Sequence, residues 1–443
     1  MPMSEPDGTQ KTALQRPSND DKGAWKAYWM TRGQPWRTEP EIDAKRQEYL
    51  AERRTIIPEI EQGIYPFKDI KLSRADVEWL VAAHEEGRGP VDWDDERQRK
   101  RKGLDLRGAD LRRLNLSRLP LTGMHAGSRH WSYATEDQHK AALAHLEGTS
   151  LVYAHLEGAF LAYAHLENAD LSSASLQRAI FRGAHLERAW LSEARLESAD
   201  LRFAHLEGAY LGNAHLERAL LCNAFFDQAT QLNAIVLGNK KSGIASLVDV
   251  HWSDVNLAVV KWSQVDMLGE EYEARQKMNW DGKVKNRDMR VEEYERAVRA
   301  NRQLATALQA QGLNEDAARF AYRAQKLQRV VLRRQRKFTS YLFSGFLDLL
   351  AGYGYRPIRS LFWYLVMICG FAILYWAFGH LPPFPDAFVF SLTSFHGRGF
   401  FPGLGDKTPL HNPLVVLAAL EAVVGLFIEI SFIATFTQRF FGK

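Results

Sequence analysis

A five-residue period runs through the middle of this 443-residue chain and leaves it few ways to fold. From Ala144 to Gln228 there are 17 consecutive pentapeptides, each with Leu or Phe at its centre, from Leu146 and Leu151 on to Phe226. Alanine stands two residues before every centre but one, where Thr149 precedes Leu151. One bulky and one small inward position in every five describe a narrow square coil with four pentapeptides to the turn. The period begins at Leu104, with Leu106, Leu111, Leu116 and Leu121 at matching positions, and returns without a slip after an insertion at 127–140. Weaker repeats, Ala245-Ser246-Leu247 and Val255-Asn256-Leu257, carry it to about Trp262. Such coils stack into a rod whose stability comes from nearest-neighbour contacts.

This run resembles the pentapeptide-repeat family. The resemblance implies a right-handed parallel β-helix over 103–263, its coils spaced by about 4.8 Å. On the outward columns, His145, His165, His185 and His205 recur every 20 residues and share one face, with Glu147, Glu167, Glu187 and Glu207 beside them. His155 and His215, with Glu157, Glu197 and Glu217, face the other way. Histidine and carboxylate within reach of one another can bind zinc. The same layout also serves as a solvated polar ladder, and no closed tetrahedral cage is legible, so no metal is assigned. Family members are also known as mimics of duplex DNA that bind topoisomerases. Residues 144–228 carry 11 Asp and Glu against 6 Arg and no Lys, a net of −5, but histidines and arginines interrupt any continuous acidic stripe. DNA mimicry is therefore the least favoured reading.

The flanks read differently. Residues 1–40 are polar and aperiodic and are expected to form a disordered tail. Residues 41–102 read as a helical cap for the solenoid, with one helix opening at Ser73-Arg74-Ala75-Asp76. Beyond the rod, 264–337 holds a helical hairpin broken at Gly312-Leu313-Asn314. Its basic end, 329–337, suits anionic lipid headgroups, each charge being worth about 1 kcal/mol there. Residues 338–357 then read as an interfacial helix.

The C-terminal segment, 358–443, contains two apolar runs, Leu361–Phe378 and Pro413–Phe436, of 18 and 24 residues. About 20 helical residues cross a bilayer. Between them lies Pro385–Ser394, too short to span, followed by a glycine-broken stretch through Gly403. Irregular backbone at membrane depth is tolerated only where protein buries it or it lines water. This order resembles the two-transmembrane pore domain of the potassium-channel superfamily. The residues that carry the resemblance are Phe390-Ser391-Leu392-Thr393-Ser394, Gly397-Arg398-Gly399, Glu421-Ala422-Val423-Val424-Gly425 and Ala434-Thr435. It implies a filter at Ser394, Phe395, His396, Gly397, Arg398 and Gly399, and an inner helix carrying Glu421, Gly425 and Glu429. Arg398 stands where the family has tyrosine, and a second alignment puts Gly399-Phe400 on the family's Gly-Tyr, so potassium selectivity is not carried over. Glu421 either lines a cation pathway or buttresses the filter loop, and Glu429 faces water. A subunit with two spans encloses no conduit, so a homo-oligomer is required, and the resemblance implies a tetramer passing inorganic ions.

Seven Lys and Arg residues between Arg329 and Arg359 precede the first span, Arg439 and Lys443 follow the second, and only Arg398 and Lys407 lie between. By the positive-inside rule both termini are cytoplasmic, in a bacterial-type inner membrane. The start shows no signal-sequence pattern. Cys222 and Cys369 lie far apart, which suits a reducing compartment. A net charge of +4 does not point to nucleic acid. No Walker, Rossmann, nucleophile-elbow or zinc-ligand spacing occurs, so neither an enzyme nor a cofactor is expected. The competing function is a non-conducting, membrane-tethered scaffold that presents the rod to a cytoplasmic protein.

Overall fold

The computed structural model describes residues 15–128, 135–279, 282–379, 384–396 and 413–440. The chain divides into two compact units, Met1–Tyr272 and Glu273–Lys443.

In the first unit each pentapeptide is a turn. The carbonyl of Leu186 accepts from the Ala189 N–H at 3.0 Å, and the intervening Arg188 has φ of 58°. A turn closed three residues on, with positive φ at its third residue, favours glycine or asparagine there. Gly183 is required for a second reason, because a Cβ would strike the Tyr163 ring of the preceding coil. Successive coils are joined by parallel bridges between residues 20 apart, such as His165 to His185 and Trp190 to Tyr210. The Leu186 N–H donates to His205 O at 2.8 Å, and the His185 N–H donates to Ala164 O at 3.0 Å. The central leucines and their alanines are buried throughout.

The insertion leaves the register intact. Asp110 pairs with His145 and Asn115 with Ser150, 35 residues apart, so 15 residues beyond one coil leave the wall and return. They include α5 (Glu136–Ala141), which a Thr135 and Gln138 capping box starts.

Both ends of the rod are covered. Strand β1 (Ile70–Lys71) pairs in parallel with β2 (Ala109–Asp110), and the Leu72 N–H reaches Asp110 O at 3.2 Å. An exposed strand edge would otherwise template pairing with another chain. Upstream lie α1 (Lys22–Thr31), α2 (Ala44–Arg54), α3 (Arg74–Ala82) and the single turn α4 (His84–Gly87). The tail expected over 1–40 is corrected for its second half, where α1 falls, while residues 1–14 lie outside the described residues. Trp25, Tyr28 and Trp29 pack into one aromatic cluster, and Arg37 lies 3.4 Å from the Trp29 ring centroid. Aromatic rings at helical spacing supply the buried area that the polar composition obscures. Buried Glu78 accepts from the Thr38 and Glu39 N–H groups and from Arg74, tying this segment to α3.

At the far end, β3 (Gly238–Asn239) and β4 (Gly243–Ile244) form a hairpin before α6 (Gly269–Arg275). Glu270 closes the last coil, its Oε1 accepting from the Ser246 hydroxyl and the Val248 N–H, both at 2.6 Å. The side chain is 4% exposed, and burial pushes its carboxyl above the usual range.

The second unit is helical. The hairpin α7 (Arg287–Ala310) and α8 (Asn314–Arg334) buries Tyr294, Ala297, Val298, Leu327 and Val331. It is followed by α9 (Phe338–Ala351), α10 (Pro357–Gly379), α11 (Phe384–Phe395) and α12 (Pro413–Phe440). Asp348 of α9 accepts from Tyr322 at 2.9 Å and Arg329 at 2.9 Å in α8, and pairs with Arg359 of α10 at 3.4 Å. Among the described residues one segment, Ile358–Ala377, is long and apolar enough to cross a bilayer, with a mean hydropathy of 1.8.

Two outcomes follow for stability. Leu186→Ala should cost about 2–5 kcal/mol in thermal melts, as a cavity in a core that cannot collapse. The exposed Glu193→Gln should change it by less than about 0.5 kcal/mol, and equal losses would place the pentapeptide register elsewhere. Because the protonated form of Glu270 is favoured in the fold, its contribution is complete below the ordinary value of 4.5 and is lost as pH rises through the raised one. The melting temperature of the wild type should therefore fall relative to Glu270→Gln as pH rises above about 4.5; parallel curves would show that Glu270 is ionised in place.

Candidate functional site

The residues singled out in the C-terminal segment converge on α11. This helix lies against both α10 and α12, and Glu421 of α12 is the polar centre of the contact. Its Oε2 accepts from the Tyr375 hydroxyl of α10 at 2.7 Å, and its Oε1 accepts from the Ser391 hydroxyl of α11 at 2.5 Å. Ser391 also lies 2.9 Å from Ile368 O. All three side chains are fully buried, so one carboxylate joins three helices where water does not compete. The Glu421 carboxylate thus faces the contact between these helices.

One turn further along α12, Gly425 meets the end of α11. A Cβ there would overlap the Phe395 carbonyl, so only glycine lets the two backbones touch. Phe395 itself is buried with Ile368 and Ile428, its ring edge-on to Tyr364 at 5.0 Å. Ser394 is buried beside it. His396 ends the helix, with Nδ1 2.8 Å from Leu392 O and Nε2 3.2 Å from the Glu429 carboxylate. His396 and Glu429 remain partly exposed, at 39% and 33% of their side chains. Six expected residues therefore share one neighbourhood: Ser394, Phe395, His396, Glu421, Gly425 and Glu429. Gly397, Arg398 and Gly399 lie outside the described residues. Tyr375 was not anticipated; a lone hydroxyl in the second half of an apolar run was the available signal.

A second site, also unanticipated, lies on the rod. Residues 90–99 cross one flank of the coils and enclose a groove of about 520 Å³ lined by Trp93, Asp94, Arg99, His155, Glu157 and Arg195, among others. Gly158 leaves the room that the Trp93 ring occupies. Buried Glu157 accepts from Thr122 at 3.1 Å and lies 3.1 Å from His155 Nδ1. Glu157, with Asp94 behind it, holds the His155 ring above its ordinary pKa. The sequence clue was an isolated tryptophan in the polar stretch Pro90-Val91-Asp92-Trp93.

On the opposite flank the histidines stack in register. The ring centroids of His145, His165, His185 and His205 are separated by 5.6, 5.0 and 5.0 Å, with planes within 10° of parallel.

Comparison with protein families matches this domain to pentapeptide repeats (8 copies), at residues 143–178, 161–197, 179–218 and 199–230. Through this domain the chain belongs to the pentapeptide-repeat family. The fold is that family's right-handed β-helix. Among solved structures it is similar to HetL, a pentapeptide repeat protein involved in heterocyst differentiation regulation from the cyanobacterium Nostoc sp. strain PCC 7120. That match has 23% identity over 34% of this chain and 66% of HetL, with a TM-score of 0.20. It is similar to alr5209, a pentapeptide repeat protein from the same organism, at 33% identity over 24% of this chain and 81% of that one, TM-score 0.21. It is also similar to QnrB1, a plasmid-mediated fluoroquinolone resistance protein, at 14% identity over 38% of this chain and 83% of that one, TM-score 0.19. The chain spans just under two thirds of the length of HetL. A search of curated proteins finds no match.

Gly425→Ala should separate α11 from α12. A cost of about 1–3 kcal/mol is expected from overpacking, read as a lower melting temperature of the helical signal in detergent; unchanged melting would mean the two helices do not touch at Phe395.

Proposed function

We propose that the chain is a subunit of an oligomeric membrane pore that passes cations, with the pentapeptide-repeat domain as its cytoplasmic scaffold or sensor. The observation that carries this reading is the Glu421 junction. A short helix held between two long ones by a buried carboxylate serves no purpose in a simple anchor, whereas it fixes a loop entering partway into a membrane. The outward sides of the long helices support the reading. Leu361, Phe362, Leu365, Ile373 and Trp376 of α10, and Leu420, Val423, Leu426, Phe427, Ile430 and Ile433 of α12, are all exposed, as lipid-facing residues would be. The apolar exposed residues Phe338, Leu342, Phe343 and Phe346 of α9, following the basic stretch 329–337, suit an interfacial helix on anionic lipid.

In this reading both termini are cytoplasmic, the membrane is a bacterial inner membrane, and four subunits enclose the conduit. Glu421 positions the short helix, while Glu429, sharing its carboxylate with His396, meets the permeant ion. The competing reading is a non-conducting tether that presents the rod to a cytoplasmic protein. The exposed aromatic residues Tyr153, Trp190 and Phe203 on the rod favour it, as contact residues for a partner.

Recordings from purified protein in planar bilayers separate the two. Cation current should be seen, and Glu429→Gln should reduce single-channel conductance and the preference over chloride while the oligomer stays intact. Unchanged conductance in that variant would remove Glu429 from the pathway, and wild-type protein that never conducts would leave the scaffold.

A further inference from the structure

The histidine flank of the rod contains a repeated ligand set. Three groups recur at one-coil intervals: Glu147, His165 and Glu167; Glu167, His185 and Glu187; Glu187, His205 and Glu207. Within each, one ligand atom from every residue lies within 4.8 Å of the other two. The imidazoles are held in place by stacking, and each Nδ1 already faces a carboxylate, at 2.9 Å for His165 to Glu167 and 3.1 Å for His185 to Glu187. A further observation concerns the carboxylates of this flank. The Oε2 atoms of Glu147, Glu167, Glu187 and Glu207 are shielded from solvent and have no hydrogen-bond partner. A shielded carboxylate oxygen left unpartnered is costly, and an ion at that position is one physical resolution.

We propose that this column binds divalent transition-metal ions, zinc foremost, each held by one imidazole nitrogen and two carboxylate oxygens from adjacent coils. Imidazole among the ligands selects zinc, cobalt, nickel or copper over magnesium and calcium. Tetrahedral coordination at about 2.0–2.2 Å needs ligand atoms about 3.4 Å apart, so side-chain rotation of about 1 Å closes the set, with water at the fourth position. The metal takes the Nδ1 lone pair, and the single proton of a neutral imidazole moves to Nε2, so no net proton is lost from the ring. The first and third groups share no residue, whereas the middle one shares a glutamate with each. Two ions per chain, in the first and third groups, are therefore the fullest filling that uses no ligand twice; His185 is left uncoordinated, and the ions are separated by two coil heights, about 9.6 Å. Each ion links neighbouring coils and stabilises the folded rod by mass action.

The opposite flank provides the control. Glu197 and Glu217 also have an unpartnered Oε2, but Arg195 engages Glu197, and the intervening coil offers Ser175 instead of histidine. No three ligands converge there among the described residues.

The test is calorimetric titration of zinc chloride into chelator-stripped full-length protein in detergent, with cobalt absorption reporting coordination number. Two ions per chain should bind, and the melting temperature should rise with zinc. Replacing His165, His185 and His205 together by alanine should weaken binding at least about 100-fold, since outer-shell partners alone are worth roughly 10–100-fold. Glu167→Gln with Glu187→Gln, which touches all three groups and keeps shape, should do the same should the alanine variant misfold. His155→Ala with His215→Ala should leave binding unchanged. No saturable binding, or binding equally strong in the triple-histidine and double-glutamine variants, would overturn the proposal.

Discussion

The backbone ladder between coils is the interaction on which the first unit depends. The turn within a pentapeptide satisfies only the alanine N–H and the leucine carbonyl, so the leucine N–H donates to the coil above and the alanine carbonyl accepts from it, as Ala189 O does from the Tyr210 N–H at 2.9 Å. Leu186 to His205 at 2.8 Å is one rung of many alike. Because unpaired buried amides cost as much as a lost hydrogen bond, the coils can neither separate nor slip by a residue. Everything on the surface inherits that register. The histidine column, the aromatic pair Trp190 and Tyr210 at 4.3 Å, and the glutamates beside them are spaced by the ladder, not by attraction between side chains.

The second unit is organised by a different economy. Its helices satisfy their own amides, so their mutual placement rests on a few polar side chains in apolar surroundings. Asp348 joins α8, α9 and α10, and Glu421 joins α10, α11 and α12. Each is a single carboxylate meeting donors from two other helices. Breaking one partner leaves the rest buried without compensation, which makes such junctions strict about geometry even where their net stabilisation is small.

Much of this was legible in the residues, for identifiable reasons. A period of five with leucine and alanine admits one kind of coil, and so the rod could be drawn from Leu104 to Trp262 before any coordinates. The short helix and its flanking helices followed from the lengths of the apolar runs. What escaped depends on contacts distant in sequence. The Trp93 segment reaches Gly158, 65 residues on, and nothing local announces it. Tyr375 looks like any interfacial aromatic until Glu421 is seen 2.7 Å away. The helix Lys22–Thr31 was hidden by polar neighbours, its three aromatic rings too few to establish a period.

The way the insertion before Ala144 re-enters the wall has a consequence for how such a chain can change over generations. Fifteen additional residues left the wall and came back without altering the facing of a single downstream side chain. A single extra residue further on is absorbed as well, the bridge spacing lengthening from 20 to 21 at Tyr210 to Gln231 while the pairing continues. Gains are therefore tolerated where the pairing is regained after them, whether of one residue or of fifteen, as well as in whole coils of 20. Rod length and flank chemistry are thereby separable heritable traits: the first can be altered by duplicating a coil, the second by point substitution at outward positions, with neither disturbing the other.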